Sequence, residues 1–198
     1  MIIIEPHIQA LIFDCDGTLA DTMALHYLAW QETVQRINGE FPEKLFYELA
    51  GASNARIVAV LNETYGYQLD PEKAAHEKDE RFLKHLPQAK PIVTVVAIAH
   101  DYKGRLPMAV ATGGTPALVR SILAAIELTD FFDTIVTSHD VAHPKPAPDI
   151  FLECARRLNV APEYCHVFED GDLGIEGAKR AGMTVTDVRP WRVPDGGK

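Results

Sequence analysis

The sequence predicts an α/β protein that has a doubly wound, parallel five-stranded sheet and a small helical domain inserted into it. Three observations support this prediction. Short apolar runs rich in β-branched residues recur along the chain, and their near-continuous hydrophobicity is typical of strands covered on both faces. Segments with helical periodicity separate most of these runs. A long block between the first and the second run has no convincing strand and shows the pattern of several helices.

The predicted elements alternate along the chain. Strands are predicted at 10–14, 108–112, 134–138, 166–170 and 184–188. One helix begins at Thr115-Pro116, since proline is favoured at the first helical position, and another covers 149–158. A third covers 172–181 and ends before Gly182, a residue type favoured just beyond a helix. A doubly wound sheet binds its ligands at the carboxyl ends of its strands, so the loops there are the first place to look for a site.

The block between the first two strands is predicted to be a helical cap domain of roughly four helices. It covers residues 22–86, and residues 1–21 and 87–198 form the α/β core. An insert after the first strand lies over the carboxyl ends of the strands, where it can contact a ligand. The residues that mark helix ends in this block are Asn38-Gly39, Ser53, Gly66 and Asp70-Pro71.

Charge and composition exclude several classes of partner. The chain of 198 residues has a formal net charge of −9 and no basic cluster, so neither nucleic acid nor an anionic membrane is an expected partner. No apolar run approaches the roughly 20 residues of a membrane helix. The apolar opening lacks the basic flank of a signal peptide. We expect a monomer that acts on a small molecule, with a disordered polar tail at 191–198.

The cysteines indicate a reducing compartment. Cys15, Cys154 and Cys165 are odd in number and have neither the spacing of a disulfide framework nor that of a zinc site. We therefore expect a cytoplasmic protein. Cys15 is predicted to be a small core residue, because no neighbour in the sequence would activate its thiol.

Two pairs of carboxylates follow predicted strands. Asp14 ends the first predicted strand and Asp16 lies two residues further on, so alternation directs both side chains roughly one way, and Gly17 permits a tight turn. Glu169 and Asp170 end the fourth strand. If these strands are neighbours, the acids repel by roughly 4 kcal/mol per pair at an effective dielectric constant near 20. A divalent cation removes the repulsion, and an all-oxygen ligand set favours Mg²⁺. The alternative is two unrelated, solvated loops.

Two other loops offer groups that suit an anion. Thr112 and Gly113 follow the second strand and precede a helix, so a hydroxyl and backbone N–H groups are available there. Lys145 lies between two prolines, which restrict its backbone just beyond the third strand. An acidic protein that binds an anionic substrate needs such local positive charge.

The inserted block contributes two candidates for substrate contact. His26 lies one turn before Trp30 on a predicted helix, and Arg56 follows the Ser53 cap. Trp30 is expected to pack inside the cap. For His26 and Arg56 the sequence leaves two interpretations, a surface position or contact with the substrate. A second group of polar residues matches no metal-site spacing and is expected to be ordinary loop: His139, Asp140 and His143.

The order of these motifs resembles the haloacid dehalogenase superfamily of phosphotransferases. Asp-x-Asp-Gly-Thr at 14–18, Thr-Gly at 112–113, Lys145 and Glu-Asp at 169–170 correspond to its four motifs, and the resemblance covers essentially the whole chain. This resemblance implies a Rossmann-like core with a cap.

One branch of that superfamily is most similar. The segments 21–30, 145–149 and 168–175 resemble β-phosphoglucomutase-like proteins with a helical cap. The short length and Arg56 are similar to small bacterial sugar-phosphate phosphatases of the fructose-1-phosphate type.

The resemblance also implies a mechanism. Asp14 is the implied nucleophile, which attacks phosphorus and becomes an aspartyl phosphate. Asp16 is the implied acid that protonates the leaving oxygen, and then the base that deprotonates water. The implied Mg²⁺ ligands are Asp14, Asp170, Glu169 and the backbone carbonyl of Asp16. The groups implied to hold the phosphoryl oxygens are Thr112, the Gly113 amide and Lys145.

Some positions depart from that branch. The mutases carry lysine and arginine in the cap loop where this chain has Ala50 and Asn54, which weakens the grip on a second phosphate and favours hydrolysis. A β-phosphoglucomutase-type phosphotransferase is therefore the alternative. Gly171 replaces a more usual small polar residue, and Asp172 is a rival metal ligand to Asp170.

Two further functions are less consistent with the motifs. Dehalogenation is disfavoured by Asp16, since that reaction has no alkoxide to protonate. A receiver-like phosphoacceptor domain is a distant alternative, because receivers phosphorylate an aspartate after the third strand, which here ends at Ser138-His139.

Overall fold

The computed structural model describes residues 4–191, and within this range the chain forms a five-stranded parallel sheet. The predicted disordered tail lies outside the described residues except for Trp191. The strands are β1 (Ala10–Phe13), β2 (Met108–Thr112), β3 (Thr134–Thr137), β4 (Cys165–Glu169) and β5 (Thr184–Asp187). In spatial order they run β3-β2-β1-β4-β5, so the first strand is central.

The predicted fold class is confirmed, and each strand lies within one residue of its predicted bounds. Phe13 pairs with Val110 of β2 and with Phe168 of β4, so those two strands flank the end of β1. The residues that follow β1, β2 and β4 therefore meet at one edge of the sheet. This edge is where the sequence placed its motifs.

Four helices occupy the described insert. They are α1 (Met23–Gln35), α2 (Glu43–Glu48), α3 (Asn54–Tyr65) and α4 (Pro71–His85). Their predicted caps are confirmed: the Ser53 hydroxyl accepts from the Arg56 N–H, and Gly66 ends α3 with a φ of 70°. Trp30 is buried among apolar residues of the cap, as expected. The cap has its own apolar cluster because these amphipathic helices bury their stripes against one another.

The remaining long helices cover the two faces of the sheet. One face packs against α5 (Val93–Tyr102) and α6 (Pro116–Ala125), and the other against α7 (Asp149–Leu158) and α8 (Asp172–Arg180). Helix α5 was not predicted. Among the described residues, no helix is both long enough and apolar enough to cross a membrane.

The two connections between the core and the insert lie side by side. The Ile92 N–H donates to the Leu19 carbonyl at 2.8 Å, and the Asp21 N–H donates to the Lys90 carbonyl at 2.8 Å. Ala20 also forms an isolated bridge with Pro91. The segment that leads into the insert and the segment that leads out of it are thus joined by backbone hydrogen bonds. The bounds of a separate cap domain stay a prediction.

Candidate active site

Lys145 joins the two acidic strand ends. Its Nζ donates to Asp14 Oδ1 at 2.7 Å, to Glu169 Oε2 at 2.7 Å and to the Ala111 carbonyl at 3.1 Å. The three charged side chains are almost completely buried. Buried charges are tolerated where they are paired and hydrogen-bonded, which is the arrangement here. The ammonium group lies next to Asp14, the carboxylate that the resemblance implies is the nucleophile.

The carboxylates of Asp14, Glu169 and Asp170 form one cluster, with an oxygen of each within 4.8 Å of the others. Burial, followed by the charge of Glu169, raises the pKa of Asp14 well above its ordinary value, although Lys145 opposes this. Burial lowers the pKa of Lys145, but the charges of Asp14 and Glu169 outweigh it, and the net shift is upward. Three carboxylates beside one ammonium leave excess negative charge.

This oxygen-only set fits Mg²⁺, a hard cation that prefers carboxylate ligands. Both residues of the second acidic pair, Glu169 and Asp170, are also held in place by neighbouring groups. The Thr18 hydroxyl donates to Asp170 Oδ1 at 2.9 Å, and the Gly171 N–H donates to Glu169 Oε1 at 2.9 Å. Asp172 is a weaker candidate ligand, because its largely exposed side chain pairs with Arg189 at 2.9 Å.

The carboxylate of Asp16 is directed towards the cap. Its Oδ1 accepts from the Thr22 hydroxyl at 2.6 Å and lies 2.8 Å from His26 Nε2. Burial raises the pKa of Asp16, but the His26 charge, the hydrogen bonds from His26 and Thr22, and the charge of Lys78 together lower it to about 2. Burial and Lys78 lower the pKa of His26. We place a proton on Nε2, which then donates to Asp16, and the ring stacks on Phe82 at 3.8 Å.

The loop after β2 faces the same cavity. Thr112 Oγ1 accepts from the Gly114 N–H at 3.1 Å, which orients the hydroxyl and leaves its hydrogen for another acceptor. Thr112 and Gly113 line the cavity together with Asp14 and Asp16. The structure therefore brings the predicted nucleophile, the predicted acid and the predicted anion-binding loop to one place.

The cap forms the opposite wall of the cavity. Its polar lining residues are Asn54 and Lys78, and His26 belongs to both the wall and the hydrogen-bond network of Asp16. Arg56 is exposed on α3 and is not among the lining residues, so the structure does not bring it to the cavity. The apolar lining residues from the cap include Met23, Trp30, Phe46, Leu49 and Ile57.

Lys78 lines the cavity and was not predicted from the sequence. It lies on α4, four residues after Ala74 and four before Phe82, and all three are buried. Its Nζ donates to Asp79 Oδ1 at 3.0 Å and lies 5.4 Å from the centre of the Phe82 ring. A lysine on the apolar stripe of a helix was the available signal, since lysine is rarely buried without a partner or a function. Thr18 and Thr22 were missed as well. Thr18 donates to Asp170, which is far away in the sequence, and Thr22 reaches Asp16 because the chain turns between them.

The other candidates have structural partners. Cys15 is buried, and burial together with the charge of Asp16 raises the pKa of its thiol, which keeps it protonated. Asp140 pairs with Arg157 and accepts from the Thr137 hydroxyl at 2.7 Å. His143 bonds to Asp149 at 2.8 Å. Within residues 4–191, the acids around Asp14 form the group with metal-site spacing.

This chain belongs to the haloacid dehalogenase-like hydrolases, whose family profile matches residues 11–188. The match contains every acid of the candidate site. Within that family the chain is a phosphatase, consistent with its relatives and with a site built from carboxylates and an anion-binding loop.

The chain is similar in sequence or structure to three known proteins. Fructose-1-phosphate phosphatase YqaB of Escherichia coli K12 is 40% identical over 179 residues, which cover 90% of this chain and 95% of the relative. β-Phosphoglucomutase of Bacillus subtilis is 27% identical over 191 residues, covering 91% and 83%. The crystal structure of CbbY from Rhodobacter sphaeroides in complex with phosphate superposes with a TM-score of 0.81 at 28% identity, covering 90% of this chain and 84% of that one.

Proposed function

We propose that the protein is a Mg²⁺-dependent phosphatase that hydrolyses a small sugar monophosphate through an aspartyl-phosphate intermediate on Asp14. The observation that carries the proposal is that two acids of one cavity are held by different parts of the molecule. Asp14 is held from the core by Lys145 at 2.7 Å, and Asp16 is held from the cap by Thr22 and His26. Asp14 is thus positioned by the core, where it would attack phosphorus, and Asp16 is positioned by the cap, where it would face the leaving group.

The first half-reaction is attack of an Asp14 oxygen on phosphorus. The Asp14 O–P bond forms as the bond to the sugar oxygen breaks, and the sugar oxygen takes a proton from Asp16. A phosphoryl dianion beside Asp16 favours the protonated acid, because like charges disfavour ionisation. Thr112 and the Gly113 N–H would donate to the phosphoryl oxygens during this step.

The second half-reaction returns the enzyme to its starting state. Asp16, now a carboxylate, accepts a proton from a water molecule whose oxygen attacks phosphorus, and the Asp14 O–P bond breaks. The hydrogen bonds from Thr22 and His26 stabilise Asp16 in the carboxylate form that this step needs. The products are inorganic phosphate and free Asp14.

Asp14, Asp170, Glu169 and the backbone carbonyl of Asp16 would hold Mg²⁺. Bound there, Mg²⁺ would neutralise charge on the carboxylates and the phosphoryl group. The support for this assignment is the buried carboxylate cluster, whose oxygens lie within 4.8 Å of one another.

The proposed substrate class rests on the relative and on the cavity. The 40% identical Escherichia coli protein carries the name fructose-1-phosphate phosphatase, and its similarity covers nearly both chains. The cavity is lined by apolar cap residues with Asn54 and Lys78 between them, so the cationic charge available for a second phosphate is limited.

A β-phosphoglucomutase-type transferase is the second candidate. Lys78 favours it, because a cation in the cap could contact a second phosphate. We rank it lower, since Lys78 already donates to Asp79 at 3.0 Å.

The test compares phosphate release with phosphate transfer. The purified enzyme is given Mg²⁺ and a panel of sugar monophosphates, and inorganic phosphate is measured beside the interconversion of glucose 1-phosphate and glucose 6-phosphate. Release that exceeds interconversion supports the phosphatase. The reverse result assigns the transferase.

The nucleophile is tested by Asp14→Asn. An amide of nearly the same shape is a poor nucleophile, so phosphate release should vanish while the far-ultraviolet circular dichroism is retained. The matched control is Asp101→Asn, which should release phosphate normally, since Asp101 is an exposed acid on α5 and does not line the cavity. Normal turnover by folded Asp14→Asn would refute the mechanism.

We also propose that the enzyme works as a monomer in the cytoplasm. All three cysteines are free and buried, which suits a reducing compartment. Gel filtration with light scattering measures the oligomeric state.

A further inference from the structure

The loop between α2 and α3, residues 49–53, crosses directly over the reacting carboxylate, and we refer to it as the cap loop. It contacts Gly113 beyond β2 on one side and Gly171 beyond β4 on the other. Those strands flank β1, so the cap loop spans the strand that Asp14 directly follows. Between these contacts Gly51 lies above the side chain of Lys145, at 3.7 Å from its Cδ as measured from an ideal Cβ position.

Both contacts join backbone to backbone with no room for a side chain. A Cβ atom added to Gly171 would lie 2.9 Å from the Ala50 carbonyl oxygen. A Cβ atom added to Gly113 would lie 3.0 Å from the Gly51 carbonyl oxygen. Both distances are shorter than ordinary van der Waals contact, and the opposing atoms belong to the main chain, which cannot rotate away as the end of a flexible side chain can.

Backbone conformation does not require glycine at these positions. Gly171 has a φ of −97° and a ψ of 138°, which any residue adopts readily. Gly113 is likewise outside the left-handed region, in contrast to Gly51 with a φ of 83°. The feature of the molecule that does require glycine at 113 and 171 is the close approach of the cap loop.

We propose that Gly171 and Gly113 are specificity-determining residues. Because Gly171 and Gly113 lack side chains, the backbone of the cap loop can contact both of them above Asp14. The cap loop then forms a low roof over the cavity, and this roof restricts the enzyme to compact phosphate esters. The proposal rests on the proposed phosphatase activity and deepens it by setting an upper size for the leaving group.

The mechanism is steric. A methyl group at 171 raises the roof by about half an ångström if the Ala50 carbonyl is to regain ordinary contact, and a gap of that size already weakens contacts to a small ligand. Compact esters then lose contacts and admit water, whereas bulky esters gain space. Both kinds of ester use the same phosphoryl grip, so the ratio of their kcat/KM values reports the roof alone.

The experiment measures kcat/KM for glycerol 3-phosphate, glucose 6-phosphate and trehalose 6-phosphate with the wild type and with Gly171→Ala. The last two esters share the same linkage and differ by one sugar ring. The wild type should discriminate strongly against the disaccharide ester. In Gly171→Ala the ratio of trehalose 6-phosphate to glucose 6-phosphate should rise at least tenfold. An unchanged ratio in the folded variant overturns the proposal.

Two more variants separate the roof from general stability. Gly177→Ala is the matched control, because its added Cβ would lie 3.1 Å from the Ala147 carbonyl oxygen inside the core and not near the cap. It should lower the thermal midpoint and leave the size ratio unchanged, and a ratio that rises equally in this control refutes the proposal.

Gly113→Ala serves if Gly171→Ala does not fold. It should raise the same ratio, by a smaller factor because its contact is looser, and an unchanged ratio contradicts the inference. A wild type that releases no phosphate from any of the three esters or from the sugar-phosphate panel would refute the proposed function itself, which is a different outcome from an unmoved ratio.

Discussion

Replacing Lys145 by methionine removes the positive charge at the centre of the site and retains much of the side-chain volume. The ammonium contacts Asp14 and Glu169 at 2.7 Å each, and Asp170 lies in the same cluster. At 4.8 Å and an effective dielectric constant near 20, each carboxylate pair repels by about 3.5 kcal/mol once the ammonium is gone. Breaking a buried ion pair by removing one partner costs roughly 3–5 kcal/mol. We expect the free energy of unfolding of Lys145→Met to fall by that amount in metal-free buffer.

Urea unfolding followed by tryptophan fluorescence measures this loss, first with chelator and then with Mg²⁺. Mg²⁺ should stabilise Lys145→Met more than the wild type, because a cluster without its ammonium attracts the cation more strongly. Lys44→Met is the matched control, since its side chain is 89% exposed and should leave the unfolding midpoint unchanged. If Lys145→Met loses no more stability than Lys44→Met in chelator, the electrostatic reasoning about this cluster is wrong.

Three other predictions test separate parts of the molecule. Asp16→Asn should slow turnover by roughly 10²-fold or more, as measured by steady-state phosphate release. Lys78→Met should lower kcat/KM for sugar phosphates well below the wild-type value, whereas Arg56→Ala should leave it nearly unchanged, because only Lys78 of these two lines the cavity. Equal losses in the two variants would contradict a role for Lys78 in substrate binding. Burial lowers the pKa of His166 to about 4, so the unfolded chain binds a proton below about pH 6.5 that the folded chain takes up only near pH 4. The free energy of unfolding should therefore fall by up to about 3 kcal/mol as the pH is lowered from about 6.5 to about 4. Urea titrations at pH 7, 5 and 4 measure this loss, which should be absent in His166→Gln.

The sequence was most informative where a local pattern fixes a position. Near-continuous apolar runs gave the strands to within one residue, and the carboxylates that follow the first and fourth runs could be placed at one edge, because parallel strands share their carboxyl ends. Helix caps are local as well, so Ser53 and Asp70 were recognised from their neighbours alone. Helix α5 was missed because Val93–Tyr102 is mostly apolar, and its β-branched residues obscure the helical period.

The cap side of the site could not be predicted in the same way. Arg56 and Lys78 are both cations on helices of the insert, and which of them faces the cavity depends on how α3 and α4 pack against each other and on the core. That packing is set by contacts between residues far apart in the sequence. The partner of Asp16 shows the same limit: His26 was a candidate, but its direct hydrogen bond to Asp16 needed the position of α1 over the sheet.

The side-by-side connections of the insert have a consequence for modularity. Since the Ile92 N–H bonds to the Leu19 carbonyl and Ala20 bridges to Pro91, the gap that the inserted segment must close is set by the core and does not depend on what is inserted. The entropic cost of closing a longer segment grows only with the logarithm of its length. We therefore predict that the core accepts an insert of another size between Ala20 and Pro91 and takes its leaving-group preference from that insert, provided that Thr22 and His26, which hold Asp16, are kept.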